Sequence, residues 1–172
     1  MKTRIAASRR RKRQSGGNSF VEWMLVLLPT MAMITAFFDV SFALFSWSTI
    51  QNAVREGCRY AITFQTSGAL GQDASIAQSV AANSMGLLPA NSSLIHVNYF
   101  TIQQPTTPVA APNGNAPGNI VEVSIQGYPL NWMIPLSGTL YQPFRPTSPA
   151  TINVYSSDVL GGLPAGVNSV TR

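Results

Sequence analysis

The sequence predicts an α+β protein in which a long amino-terminal helix, first transmembrane and then amphipathic, packs on a small antiparallel β-sheet. Three observations support this class. Residues 20–47 form a nearly uncharged apolar run, residues 47–62 repeat apolar positions every three or four residues, and later segments favour strands. Because the apolar run comes first, the helix is expected to precede the sheet in the chain.

The apolar run is long enough to cross a lipid bilayer. Its 28 residues contain two charged side chains, Glu22 and Asp39. A helix of that length extends roughly 42 Å, whereas the hydrocarbon core of a bilayer is about 30 Å thick. A buried helix of a soluble protein is disfavoured, since the remaining chain is too small and polar to surround it. Residues 18–47 are therefore predicted to be the transmembrane half of the helix.

Basic residues are concentrated before the apolar run. Of the 11 Lys and Arg residues, seven lie in the first 13 positions, and from residue 18 onward four basic residues accompany six acidic ones. Basic flanks stay in the cytoplasm, so the amino terminus is expected inside and the later residues outside. An ordinary secretory signal has a shorter apolar core followed by a small-x-small site, and no convincing site of that kind follows here.

The helix is predicted to continue beyond the membrane, over residues 20–64 in all. Its outer half, residues 48–66, has one apolar face and one polar face. The apolar positions are Trp47, Ile50, Val54, Cys58, Ala61 and Ile62.

Residues 67–172 are predicted to form a small external α+β domain. A second helix is expected over residues 73–85, and β-forming residues predict strands over 93–102, 120–126 and 151–156. The Pro- and Gly-rich residues 103–119 are predicted to be an exposed loop.

Composition argues against most catalytic and metal-binding sites. One Cys and one His cannot make a disulfide within the chain or a multi-Cys/His metal site. Nucleophilic catalysis through an imidazole has His96 as its one candidate, and no close carboxylate group accompanies it. Cys58 is expected to be a small buried residue, with a disulfide between chains as the alternative. The sequence thus predicts no catalytic, cofactor-binding or metal-binding residues.

The residues at the membrane entrance resemble the cleavage region of prepilins, the precursors of type IV pilins. Gly17, Asn18 and Glu22 follow the basic leader of residues 1–17 and open the apolar run. In that family a membrane peptidase cuts after a glycine, and the fifth residue of the mature chain is glutamate. The resemblance implies a cut between Gly17 and Asn18, which makes Glu22 the fifth residue.

An acidic residue in a membrane helix is costly and usually has a partner or a function. Cleavage would create an α-amino group at Asn18, and Glu22 of one subunit can pair with the new amine of its neighbour. The alternative is a carboxylate that reaches the cytoplasmic interface of a simple anchor. Asp39, roughly 26 Å farther along the helix, is expected either to be hydrated at the opposite interface or to contact another helix in an assembled fibre.

A second motif narrows the resemblance. Residues 52–61, NAVREGCRYA, are similar to the AAREGARYA motif of the TadE-like proteins, pilin-like subunits of the tight-adherence (Tad) pilus. Within this motif, docking against the chain's own sheet is favoured over docking on a neighbouring subunit, with a solvated polar face as the remaining alternative. The docking residues predicted there are Arg55, Glu56, Gly57, Arg59 and Tyr60.

These resemblances imply a pilin-like protein, either a minor pilin or a pseudopilin of a Tad-type (type IVc) pilus. Such a pilus serves surface attachment or secretion. Its expected partners are a prepilin peptidase, other Tad pilin-like subunits and the inner-membrane assembly platform. No nucleic-acid partner is expected, because the basic leader lacks interleaved aromatic residues. The alternatives are an uncleaved single-pass inner-membrane protein with a periplasmic binding or scaffolding domain, and a hydrolase whose site is unrecognised.

Overall fold

The computed structural model describes residues 16–130, 150–163 and 169–172 of the chain. In chain order they form helices α1 (Gly16–Ile62) and α2 (Gln72–Asn83) and strands β1 (Ile95–Phe100), β2 (Ile120–Pro129) and β3 (Thr151–Val159). The predicted α+β class is confirmed, because a long apolar amino-terminal helix precedes a small antiparallel sheet. Residues 1–15 of the predicted leader lie outside the described residues.

Helix α1 begins earlier than the sequence predicts, at Gly16, and ends at Ile62. Its 47 residues extend roughly 70 Å. Pro29 lies inside the helix, where it cannot donate a backbone hydrogen bond. The membrane-spanning and extramembrane halves are therefore one continuous helix.

Three hydroxyl groups in the apolar half of α1, those of Thr30, Thr35 and Ser41, bond to the helix's own backbone. Thr30 Oγ1 donates to the Val26 carbonyl at 2.7 Å, and Ser41 Oγ donates to the Phe37 carbonyl at 2.8 Å. Each bond reaches back one turn. These polar side chains therefore need no water when lipid surrounds the helix.

Helix α2 is shorter than predicted at its carboxyl end. It ends at Asn83, because Met85 and Gly86 adopt positive φ angles of 52° and 82° that a right-handed helix cannot contain. Ser84 fixes this end, since its hydroxyl donates to the Ala81 carbonyl at 2.7 Å. The chain then turns toward β1.

The three strands of the described residues form one antiparallel sheet in the order β1-β2-β3. Strands β2 and β3 each extend three residues beyond their predicted ends. A bulge between Ile125 and Tyr128 separates the two parts of their pairing. Gly127 has a φ of +72° there and donates its N–H to Asn153 Oδ1 at 2.7 Å. The bulge interrupts side-chain alternation, which is why the sequence pattern ends at residue 126.

The core lies between the outer half of α1 and one face of the sheet. Helix α1 packs against α2, β2 and β3, and α2 also contacts β1. The largest fully buried apolar side chains are Tyr99, Ile50, Ile76, Ile125 and Leu160. Burial of an aliphatic side chain of this size contributes roughly 1.5–3 kcal/mol to folding.

A buried polar network joins the end of α1 to the start of α2. Gln72 is fully buried, and its Nε2 donates to the Ala61 carbonyl at 3.0 Å. Asn115 Nδ2 donates to Gln72 Oε1 and to the Val170 carbonyl, both at 2.6 Å. The Gln72 N–H donates to the Thr171 carbonyl at 2.8 Å. Because these groups are buried, each bond avoids the cost of an unsatisfied polar atom.

Arg172, Asp73 and Tyr99 form a second cluster beside this network, called here the Arg172 cluster. Arg172 Nε lies 3.1 Å from Asp73 Oδ2, and its guanidinium carbon is 4.5 Å from the Tyr99 ring centroid. Tyr99 donates its hydroxyl to Asp73 Oδ1 at 2.9 Å. Burial, followed by the charge and hydrogen bond of Asp73, raises the pKa of Tyr99 far above its usual range. The cluster ties residues 169–172 to α2 and β1.

We expect Arg172→Gln to lower the free energy of unfolding by about 1–3 kcal/mol, because it removes the cation that pairs with Asp73 and covers the Tyr99 ring. Urea unfolding of the full chain in detergent micelles, followed by circular dichroism, measures the change. Arg59→Gln is the matched control. Its side chain is 76% exposed in the ion pair with Glu56, so its effect should be about 0.5 kcal/mol or less. Equal losses in the two variants would contradict a stabilising Arg172 cluster.

Candidate functional site: the apolar helix and the docking motif

Helix α1 presents a large apolar surface that the chain itself does not cover. Within the described residues, Ser19–Ile62 is the one segment long and apolar enough to cross a membrane. Its most apolar 18-residue window has a mean hydropathy of 1.8 and is 6% buried. Leu25, Leu28, Met33 and Phe37 are each more than two-thirds exposed. Surface of this extent requires lipid or neighbouring helices as cover.

The predicted cleavage residues lie at the very start of this helix. Gly17 and Asn18 follow directly on Gly16, where α1 begins, and Glu22 comes one turn after Asn18. The two positions are roughly 6 Å apart along the helix axis. Glu22 is exposed, so its carboxylate faces the surroundings of the helix instead of the chain's own domain. Such a position is open to a charged group from a second subunit.

Asp39 has a different environment. It is 7% exposed, whereas its neighbours Phe38 and Val40 are 58% and 55% exposed. Ser46 and Thr49, which follow on the same face of α1, are also buried. This polar stripe runs directly into the core. Both expectations for Asp39, hydration at the membrane surface and a contact with another helix in a fibre, stay predictions.

Gly57 is the point at which α2 lies against α1. A Cβ atom at Gly57 would overlap Val80 Cγ2, and it would lie 3.7 Å from both Ile76 Cγ2 and Val123 Cγ1. The closest neighbour is therefore α2, and the sheet comes second. The sequence predicts docking on the sheet. Periodicity indicates that one face of α1 is buried, but it does not show which element covers that face.

The charged residues of the motif remain at the surface. Arg55 and Arg59 are exposed, and Arg59 NH1 lies 3.2 Å from Glu56 Oε1. This pair one turn apart is the local contact that the spacing predicts. Because water screens it, it contributes little to stability. Together with β3, these side chains line a polar groove whose other residues are Asn52, Cys58, Ser156 and Asp158.

Cys58 and Tyr60 belong to the core side of the motif. Cys58 is 2% exposed, and its Sγ lies 4.0 Å from the Val121 carbonyl oxygen. Burial raises the pKa of the thiol, which lowers its thiolate fraction and its reactivity. The predicted burial of Cys58 is confirmed. Tyr60 is partly buried and packs against the same core.

The last residue considered for catalysis or metal binding is His96. His96 is exposed on β1, and across residues 16–130, 150–163 and 169–172 no group of three or more His, Cys, Asp or Glu residues lies close enough to hold a metal ion. Sequence reasoning missed the network around Gln72 and Asn115. Gln72 and Asn115 are 43 residues apart in the chain, so no local sequence pattern predicts their contact.

We expect Gly57→Ala to lower the free energy of unfolding by about 1–2 kcal/mol, because the added methyl group overlaps Val80 and pushes α2 away from α1. The gain in helix propensity, about 1 kcal/mol, offsets part of the strain. Thermal unfolding in detergent micelles measures the difference. Gly162→Ala is the control, since a Cβ atom there meets nothing within 4 Å. A Gly57→Ala protein as stable as the wild type would show that the close contact is not required.

One of the comparisons with known proteins gives a match. Residues 17–59 match the family described as TadE-like protein. No curated protein and no solved structure shows a significant match to the chain. The matched segment contains the predicted cleavage residues, Glu22, Asp39 and the motif as far as Arg59. The predicted resemblance is thus confirmed over this segment, and with the long apolar helix it supports a membrane-anchored protein associated with the Tad pilus.

Proposed function

We propose that the chain is the precursor of a minor pilin or pseudopilin of a Tad-type pilus. A prepilin peptidase removes residues 1–17 by cutting between Gly17 and Asn18. The mature subunit then joins other Tad pilin-like subunits at the inner-membrane assembly platform, where it contributes to surface attachment or secretion. Its role is structural and not enzymatic.

The observation that carries the proposal is the position of Glu22. It is an exposed carboxylate at the start of a helix whose apolar surface is uncovered. In a low-dielectric environment an unpaired carboxylate is unfavourable, and a nearby cation removes much of that cost. The α-amino group that cleavage creates at Asn18 is such a cation. Charge pairing between adjacent subunits therefore stabilises the assembly after cleavage and not before it.

The exposed apolar side chains of α1 support the same route. They are solvated equally well by lipid and by the apolar helices of other subunits, so transfer from the membrane into a helical bundle costs little hydrophobic energy. The basic leader keeps the amino terminus cytoplasmic before cleavage. The remaining domain is then periplasmic, and it is extracellular if the subunit enters the fibre.

We expect Gly17→Ala to block removal of residues 1–17, because the peptidase needs a residue without a side chain at the cut. Amino-terminal sequencing and intact mass measurement of the membrane-extracted protein detect the change. Gly16→Ala is the matched control, since it alters the adjacent glycine and should be cut normally. Recovery of wild-type protein that still begins at Met1 would favour the uncleaved anchor.

We expect Glu22→Ala to be processed normally and to be strongly depleted from sheared pilus fractions, because the neighbour's amine loses its partner. Immunoblots of membrane and fibre fractions measure the distribution. Glu22→Asp retains the charge and should retain most of the incorporation. Unchanged incorporation of Glu22→Ala would indicate that the residue belongs to a simple membrane anchor.

A further inference from the structure

The outer face of the sheet, opposite the core, carries a row of side chains that assembly through α1 does not use. The strand register places His96 on β1 beside Ser124 on β2, and Ser124 beside Tyr155 on β3. His96 is exposed and Tyr155 is 71% exposed. Because strands lie about 4.8 Å apart, the two rings stand roughly 10 Å from each other with the small Ser124 between them. Ser124 itself is only 3% exposed, so the two rings and not Ser124 form the surface here.

A shallow pocket lies on the Tyr155 side of this row. It is lined by Glu122, Ser124, Gln126, Asn153 and Tyr155, together with parts of Ile125 and Val154; these residues are called here the Tyr155 face. Side-chain amides offer both donors and acceptors, and Glu122 offers an acceptor. The face thus combines a flat aromatic surface with several convergent hydrogen-bonding groups, as small-molecule sites do.

The bulge holds one of these groups in place. Asn153 Oδ1 accepts the Gly127 N–H at 2.7 Å, and this bond fixes the plane of the amide. Its Nδ2 donors are not used in that bond. Gln126 is exposed beside it, with its Nε2 3.5 Å from Ser124 Oγ. A polar group that is already oriented loses less entropy when a ligand binds.

We propose that the Tyr155 face binds an uncharged pyranose ring of an oligosaccharide. The apolar C–H side of such a ring lies flat on Tyr155, because the negative face of the aromatic ring attracts polarised C–H groups. The adjacent hydroxyl groups of the sugar bond to the amides of Gln126 and Asn153 and to the Glu122 carboxylate. That carboxylate disfavours acidic sugars and phosphates.

The position of the face leaves it clear of α1. Helix α1 packs on the opposite side of β2 and β3, so the Tyr155 face points away from the helix that enters the membrane or the fibre. Binding at this face does not compete with packing through α1. The proposal therefore stands or falls separately from the proposed pilus function.

Saturation-transfer-difference NMR of the full chain with cellotetraose, maltotetraose and triacetylchitotriose tests the proposal. The protein is kept in lauryldimethylamine oxide micelles, because maltoside and glucoside detergents carry sugar headgroups. We expect transfer to the ring C–H protons of at least one probe. Tyr155→Ala should weaken binding about five- to tenfold, and Tyr155→Phe, which keeps the ring, should bind within about twofold of the wild type.

Two matched variants separate the face from the general surface. Gln104→Ala is the control for Gln126→Ala. Ile102→Ala is the control for Tyr155→Ala, because the Ile102 side chain is 62% exposed and lies outside the Tyr155 face. We expect weaker binding for Gln126→Ala and Tyr155→Ala and unchanged binding for the two controls. No transfer from any of the three probes would overturn the proposal, and so would equal losses in variants and controls.

Discussion

The packing of α1 against its own domain is the constraint on which the rest of the structure depends. One continuous helix has an outer half that supplies the core and an inner half that the described domain leaves uncovered. The buried stripe through Ile50, Val54 and Ala61 fixes the rotation of the helix about its axis. Because the helix does not break, that rotation also decides which apolar side chains face lipid or a neighbouring subunit.

Two contacts attach the domain rigidly to the helix. Gly57 brings α2 directly onto α1, and Gln72 bonds the start of α2 to the end of α1 through the Ala61 carbonyl. The Arg172 cluster then ties the last described residues to α2 and β1. The sheet is therefore joined to α1 through packed and hydrogen-bonded contacts.

The two faces of the sheet differ in burial and polarity. One face carries Val121, Val123 and Ile125, which are fully buried in the core. The other face is polar and aromatic, and it lies on the side away from α1. The proposed assembly through α1 and the proposed binding at the Tyr155 face therefore use opposite sides of the sheet. The edge at β3 also borders the groove that Arg55 and Asp158 help to line.

The sequence by itself determined the long helix, its apolar length, the burial of Cys58 and the approximate positions of the three strands in the described residues, because these follow from local periodicity and composition. The resemblance over the first third of the chain was equally visible in adjacent residues. Only the tertiary structure decided that Gly57 meets α2 before the sheet and that Asp39 is covered by its own chain. It also decided that Arg172 pairs with Asp73 across 99 residues. Contacts of this kind depend on how distant segments pack, and no nearby pattern in the chain encodes them.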